Sequence, residues 1–285
     1  MSAVIYNNTL YSTQEAVLPY NTRAFRYGDG IFETMRMIHG RVALFDQHMD
    51  RMRQGADYLK IKCPREWTNA FFYDEIQELV ATNKLGKQAR IRLSLFRAGD
   101  GYYTPKKNTA SYLLECERFG KMYYPLNAKG LNVGLYYEIE KGIPPFANLK
   151  SINAQIYVMA GLYKKAQKLD DCLLLNGRTR IAEAISSNVF LVKDHTLFTP
   201  PLSEGCVDGV MRRHIIQLAD GAHVPVHQAP LKLEDLFEAH ELFLVNAISG
   251  IRWVGRFKIK TFDHKMAVYL SERLNEEAAR AYPAH

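Results

Sequence analysis

Four short strand-like segments follow one another closely in the second half of the chain. Each is largely apolar and only brief turns separate them, which is typical of antiparallel or mixed sheets. A doubly wound parallel sheet would need a helix between successive strands. The pattern therefore excludes that fold and predicts a mixed sheet. The segments are Cys172–Leu175, Ile181–Glu183, Asn188–Val192 and Thr196–Phe198.

The first part of the chain predicts a smaller α+β domain. Asp46 is a candidate N-cap for a helix with apolar residues at three- and four-residue spacing, which Cys63-Pro64 would end. A second helix is expected through Tyr73 to Asn83. The strand patterns of this part are Ala3–Tyr6, Gly30–Ile38, Arg41–Phe45, Ala89–Phe96 and Ala110–Cys116.

A turn-rich stretch without helical or strand periodicity predicts an interdomain linker at residues 118–130. The expected domains are a small N-terminal α+β domain at 1–117 and a larger C-terminal domain at 131–285. The larger domain should hold a mixed, barrel-like sheet with helices. Helices are expected directly after Lys150, over Val210–Ala219 and from about His264 to Ala281, and further strands over Leu131–Tyr137, Leu242–Asn246 and Ile251–Val254.

Composition narrows the functional classes. The net charge is +7 and the pI about 9.1, but the basic residues are scattered and no zinc-finger or RRM signature accompanies them, which argues against a nucleic-acid partner. No apolar stretch is long enough to span a bilayer and the start MSAVIYNNTL is no signal peptide, so we expect a cytoplasmic protein without a membrane partner. The four cysteines lie far apart without CxxC spacing, which predicts neither a metal site nor disulfides.

Two residues are candidates for chemistry with an aromatic cofactor. Lys150 follows a Pro-containing loop, where its amine could be held against a ring. Glu183 has apolar neighbours, and a carboxylate in such a place needs a cation. A solvated lysine and a salt bridge from Glu183 to Arg180 are the plainer alternatives.

Two further features suit a phosphate group. The turn Asp208-Gly-Val-Met opens a predicted helix, and the N–H groups at a helix start bind anions. Arg51 follows His48 by three residues on a predicted helix, so the two share a face, and its guanidinium could clamp a phosphate. An ordinary helix start and a surface arginine are the alternatives. Pyridoxal phosphate needs a lysine for its Schiff base, an acid at its ring nitrogen and such a cradle for its phosphate.

Four blocks in this order resemble the fold-type IV pyridoxal phosphate enzymes, namely branched-chain aminotransferases, D-amino-acid aminotransferases and aminodeoxychorismate lyases. Together they are more specific than any one alone. The blocks are Tyr27-Gly-Asp-Gly-Ile-Phe-Glu-Thr with Phe45-Asp-Gln-His-Met-Asp-Arg, then Leu149-Lys-Ser-Ile-Asn, Glu183-Ala-Ile-Ser-Ser-Asn-Val-Phe and Gly209-Val-Met-Arg.

The resemblance implies a two-domain enzyme with pyridoxal 5'-phosphate on Lys150 and with Glu183 at the ring nitrogen. It further implies that the cofactor sits between the domains and that the loop from Arg97 to Tyr103 closes over the substrate. The remaining cofactor-binding residues that it implies are Arg51, Ser187, Asn188, Gly209, Val210, Met211, Asn246 and Ala247. For substrate binding it implies Tyr27 and Phe32, to which we add Tyr103 and, for the substrate carboxylate, Arg97 or else Arg92.

Two reactions stay open within this family. Glu33-Thr34 is similar to the transaminase pattern, and the loop after Arg97 lacks a second arginine that is typical of the lyase. Met211 and Asn246-Ala247 are more similar to the lyase, which makes 4-aminobenzoate and pyruvate. We favour a class IV aminotransferase acting on a small amino acid and a keto acid, expect a homodimer, and keep the lyase and a non-catalytic anion-binding protein as alternatives.

Overall fold

The structure is a computed structural model, and it describes residues 2–15, 17–120 and 122–283. The chain divides into two compact units. The first consists of Met1–Met122, Leu149–Asn153 and Tyr282–His285, and the second of Tyr123–Asn148 and Ala154–Ala281. Among the described residues, no helix combines the length and hydrophobicity that a membrane-spanning helix requires.

The first unit is built on an antiparallel sheet of six strands in the order β2-β1-β6-β5-β3-β4. Apolar residues of β3 and β5, among them Met35 and Leu93, pack with Met52 and Leu79 from two helices in one buried cluster. The strands are β1 (Ala3–Tyr6), β2 (Thr9–Ser12), β3 (Gly30–Ile38), β4 (Arg41–Val42), β5 (Ala89–Arg97) and β6 (Ala110–Arg118), and the helices are α1 (Arg23–Tyr27), α2 (Phe45–Tyr58) and α3 (Asn69–Thr82).

The second unit holds a nine-stranded mixed sheet in the order β12-β11-β10-β13-β14-β7-β8-β9, with β15 paired to β14. Three of its pairings are parallel, namely β11 with β12, β14 with β7, and β7 with β8. The strands are β7 (Leu131–Lys141), β8 (Asp171–Asn176), β9 (Ile181–Ala184), β10 (Asn188–Lys193), β11 (Thr196–Thr199), β12 (Val226–Gln228), β13 (Glu241–Asn246), β14 (Gly250–Phe257) and β15 (Lys260–Thr261), and the helices are α4 (Gln155–Ala166), α5 (Val210–Gly221), α6 (Leu233–Glu238) and α7 (Lys265–Ala281). The predicted mixed α and β fold is confirmed.

Three local predictions were wrong. The helix after Lys150 begins only at Gln155, so the lysine lies in an irregular segment. Asp46 is not an N-cap, because the helix begins at Phe45, and its carboxylate instead accepts a hydrogen bond from Asn69. That helix also ends at Tyr58, before the predicted stop at Cys63-Pro64.

Candidate active site

The segment around Lys150 is tied to the start of β3. The Phe32 N–H donates to the Lys150 carbonyl oxygen at 2.9 Å, and the Ile152 N–H donates to the Gly30 carbonyl oxygen at 3.0 Å. The amine of the half-buried Lys150 lies 4.6 Å from the centre of the Phe32 ring. Backbone hydrogen bonds to β3 therefore fix the position of the segment that carries the Lys150 side chain.

Gly30 makes that pairing possible. A Cβ atom there would lie 2.7 Å from the Leu95 carbonyl oxygen and 2.8 Å from Cδ1 of Ile152, closer than real Cβ atoms come. Because Gly30 has no side chain, β3 can pack closely against both β5 and the segment around Lys150.

Arg51 is buried between α2 and β3 and is paired with Glu33. Its Nε and Nη2 atoms donate to the two carboxylate oxygens of Glu33, at 2.7 and 2.5 Å, and His48 Nδ1 lies 2.7 Å from the same carboxylate. Burial alone would raise the pKa of Glu33, but the Arg51 charge and the His48 hydrogen bond outweigh it and lower that pKa to about 2. Burial lowers the pKa of His48, so its ring is neutral at pH 7 and donates from Nδ1.

Arg97 is committed to contacts within the first unit. Its Nε donates to Asp29 at 3.0 Å, Nη1 to the Asn108 side chain at 2.7 Å, and Nη2 to the Leu59 carbonyl oxygen at 2.7 Å. The side chain is buried. This geometry is that of a structural ion pair, and it argues against Arg97 as the residue that binds a substrate carboxylate.

Arg92, the second candidate, lies beside Phe32. Its guanidinium carbon is 3.8 Å from the centre of the Phe32 ring, and its Nε donates to Ser94 Oγ at 3.2 Å. Its side chain is 31% exposed, so it can still be reached by a ligand. Phe32 is therefore flanked by the guanidinium of Arg92 and the amine of Lys150.

The aromatic residues Tyr27 and Tyr103 contact each other, with ring centres 5.5 Å apart. The loop that carries Tyr103 is bound to α1, because Nη1 of Arg23 donates to the carbonyl oxygens of Gly101 and Tyr102. Tyr103 itself is 90% exposed. The loop thus presents an aromatic side chain without burying it.

Glu183 is buried in β9 of the second unit and has three donors. Its Oε1 accepts from the Tyr157 hydroxyl at 2.6 Å and lies 3.1 Å from Nζ of Lys141, and its Oε2 accepts from the Val207 N–H at 2.8 Å. The cation that the sequence demanded is thus Lys141, whereas Arg180 pairs with Glu204. Burial and the neighbouring carboxylate raise the pKa of Tyr157, which stays a donor.

The start of α5 is closely packed and has no side-chain cap. A Cβ atom at Gly209 would lie 2.0 Å from Oδ1 of Asn188, whose Nδ2 donates to the Val207 carbonyl oxygen at 2.8 Å. A side chain at position 209 would therefore displace the Asn188 amide, and the N–H groups of Val210 and Met211 open the helix directly after this glycine, where helix starts bind anions.

Ser187 and Asn246 are joined in the same unit. Asn246 Nδ2 donates to Ser187 Oγ at 3.0 Å, and its Oδ1 accepts from the N–H groups of Ile248 and Ser249. Asn246 thereby holds the turn that contains Ala247. Of the predicted residues, the structure brings together Phe32 with Lys150 and Arg92, and Tyr27 with Tyr103, in the first unit. In the second unit it brings together Ser187 with Asn246 and Asn188 with Gly209.

Sequence reasoning missed Lys141, Tyr157 and Asp29. Lys141 and Tyr157 lie far from Glu183 in the chain, and no motif marks them. The only available signal was that a buried carboxylate needs donors, which predicts that partners exist without naming them.

Comparison with known proteins places this chain in a family. The family model described as amino-transferase class IV matches residues 30–257. A Rickettsia felis protein named "probable branched-chain-amino-acid aminotransferase" is 30% identical over 288 residues, covering 96% of this chain and 93% of that protein. The aminodeoxychorismate lyase of Vibrio harveyi is 28% identical over 237 residues, covering 82% of this chain and 85% of the lyase.

Solved structures show the same fold. A Brucella abortus aminotransferase bound to the cofactor PLP superposes with a TM-score of 0.84 at 21% identity, covering 98% of this chain and 99% of that one. Fold and motifs together define a fold-type IV architecture. The chain belongs to the class IV aminotransferase family, which confirms the resemblance found in its sequence.

Proposed function

We propose that this protein binds pyridoxal 5'-phosphate and transfers an amino group between a small amino acid, of the branched-chain or D-amino-acid kind, and a keto acid. Its reaction class is supported by the family match and by the Rickettsia felis relative. We propose a cytoplasmic location on the same grounds.

One observation carries the proposal, namely the placement of Lys150. An amine that forms a bond with a cofactor must be held in a defined place. Two backbone hydrogen bonds hold the segment around Lys150, one from the Phe32 N–H to the Lys150 carbonyl oxygen and one from the Ile152 N–H to the Gly30 carbonyl oxygen. Lys141, which lies near the predicted site residue Glu183, is ion-paired with it and donates to the Ala147 carbonyl oxygen. Lys141 is thus committed to Glu183, and Lys150, the lysine of the Leu149-Lys-Ser-Ile-Asn block, is the better candidate for the Schiff base.

The residues present fit the cofactor. Glu183 is a buried carboxylate with an acceptor site left on Oε2, as a protonated ring nitrogen needs. The start of α5 has no side-chain cap, so a phosphate could accept from its first N–H groups, and Gly209 places no side chain beside them. Arg51 would add a cation whose direction is set by Glu33.

When bound, the cofactor would supply an electron sink that acidifies the Cα proton of the substrate. In this chain, Nζ of Lys150 would accept that proton and return it. Phe32 would form an apolar wall beside the amine, and Arg92 would bind the substrate carboxylate with its planar guanidinium. Tyr27 and Tyr103 would shield the substrate from water.

A lyase acting on aminodeoxychorismate is the second candidate. Met211 favours it, because this buried thioether in the first turn of α5 supplies no hydroxyl to a phosphate, as in the lyase pattern. The Vibrio harveyi relative supports the same reaction.

An absorption spectrum of the purified protein with added pyridoxal phosphate tests the function. We expect a visible band that bleaches with an amino acid, and the L or D form that bleaches it identifies the substrate series. A band that responds only to aminodeoxychorismate, with release of pyruvate, would establish the lyase. No band at all would contradict both candidates.

Replacing the lysine tests the central assignment. Lys150→Ala should remain folded by circular dichroism and lose both the covalent band and turnover. Lys165→Ala, at an exposed position of α4, is the matched control and should keep both. Turnover retained in Lys150→Ala would refute the assignment.

We also propose a homodimer, in line with the family resemblance. Light scattering at micromolar concentration should give twice the chain mass of 32.7 kDa. A measured mass equal to that of a single chain would contradict this proposal.

A further inference from the structure

A buried lysine with no role in the predicted site contacts Glu183. Lys141 is the last residue of β7, and its side chain is only 8% exposed. Its Nζ lies 3.1 Å from Oε1 of Glu183, donates to the Ala147 carbonyl oxygen at 3.3 Å, and is 5.7 Å from the centre of the Tyr157 ring. Burying an ammonium is costly, so its position implies a strong interaction with the carboxylate.

The acceptor sites of Glu183 are almost filled. An ionised carboxylate offers about four lone-pair sites, two on each oxygen. Lys141 and Tyr157 occupy Oε1, while the Val207 N–H occupies half of Oε2. A ligand N–H can therefore bind only at Oε2, and it must share the carboxylate with an ammonium ion.

The charges around Glu183 show which group compensates its negative charge. The neighbouring Tyr157 hydroxyl is neutral, and burial raises the pKa of the Cys206 thiol to about 12, so that it is neutral too. Arg180 and Arg178 pair with Glu204 instead. Lys141 is thus a cation that already compensates the Glu183 charge before any ligand binds.

We propose that Lys141 is a positioning residue that shares Glu183 with the ring nitrogen of the bound cofactor and so weakens the hold of this carboxylate on the ring-nitrogen proton. The inference rests on the proposed function. It means that this chain holds a less strongly protonated ring than Glu183 alone would hold.

Two ligands that differ only at the ring nitrogen test the inference. The full chain, freed of cofactor, is titrated with pyridoxal phosphate and with its analogue in which C–H replaces the ring nitrogen. The ratio of the two dissociation constants measures the interaction of Glu183 with that nitrogen, and the contribution of Lys150 cancels. We expect Lys141→Met to increase the preference for pyridoxal phosphate about tenfold, which is the size of one charge-assisted hydrogen bond.

Two variants serve as controls. Lys141→Arg keeps the charge and should leave the ratio as in the unchanged protein. Glu183→Gln removes the charge on the carboxylate and should bring the ratio towards one.

The outcomes separate the two proposals. An unchanged ratio in Lys141→Met, with both ligands weakened equally, would mean that Lys141 only supports the fold, and a smaller ratio would mean that it assists the ring nitrogen. Either result would overturn the inference while leaving the proposed function intact. Failure of the unchanged protein to bind pyridoxal phosphate would overturn the proposed function and this inference together.

Discussion

Glu33 holds Arg51 by two parallel hydrogen bonds, one to Nε and one to Nη2, in the buried layer between β3 and α2. A two-pronged pair of this kind fixes the plane of a guanidinium as well as its position. His48 donates to the same carboxylate and so restrains it from the other side. The direction of the Arg51 side chain is therefore set by the protein itself.

Glu33→Gln should destabilise the protein by about 3–5 kcal/mol, because it leaves the charge of Arg51 buried without a partner. Urea unfolding followed by circular dichroism measures the change. The matched control is Glu117→Gln, which removes an equally close but exposed pair with Arg90 and should cost less than about 1 kcal/mol. Equal losses in the two variants would contradict the prediction.

The contribution of Glu33 to stability should depend on pH. Its pKa falls from an ordinary value of 4.5 to about 2 on folding, so the stabilisation is complete above pH 4.5 and is lost as the pH falls towards 2. The difference in unfolding free energy between the unchanged protein and Glu33→Gln should therefore be smaller at pH 3 than at pH 5. Parallel stability curves between those pH values would disagree with this.

Arg92 and Arg97 should behave differently when each is changed to Gln. Arg92→Gln should raise KM for the amino acid about tenfold or more with little loss of stability, because a half-exposed arginine beside Phe32 is available to a ligand. Arg97→Gln should cost about 3 kcal/mol of stability, because it breaks a buried pair with Asp29. Steady-state kinetics and urea unfolding of both variants test this prediction. A higher KM in Arg97→Gln and a loss of stability in Arg92→Gln would instead favour Arg97 as the residue that binds the substrate carboxylate.

Gly209→Ala should weaken binding of pyridoxal phosphate by about tenfold or more and cost about 1–3 kcal/mol of stability, because the new methyl group displaces Asn188. Gly221→Ala at the other end of the same helix is the control. A Cβ atom there meets nothing within 4 Å, and the change should be neutral or stabilise by up to about 1 kcal/mol. A fluorescence titration with the cofactor distinguishes the two, and normal affinity in Gly209→Ala would exclude a cradle at this turn.

The sequence predicted the family, the mixed fold and the shared face of His48 and Arg51, because each depends on local periodicity or on a compact motif. The sequence also predicted the helix that starts directly after Gly209. The roles of the individual site residues stay predictions.

Long-range partners were beyond a single sequence. The environment of Glu183 predicted a cation, and the sequence suggested Arg180 as its side-chain partner, whereas the fold brings Lys141 to 3.1 Å from the carboxylate. Arg97 illustrates the opposite case, since a guanidinium that could have bound a substrate is instead paired with Asp29. The helix expected after Lys150 failed for a related reason, because pairing of this segment with β3 overrides its helical periodicity.

The segment Leu149–Asn153 belongs to the first unit, although the chain on either side of it belongs to the second. Its fit against β3 is close enough that Ile152 lies where a side chain at Gly30 would need to be. Genetic recombination with a relative at a single crossover between residues 123 and 148 would join β3 from one parent to the lysine segment of the other. Chimaeras should therefore fold best when the lysine segment comes from the same parent as β3, which requires one exchange point before Leu149 and another after Asn153.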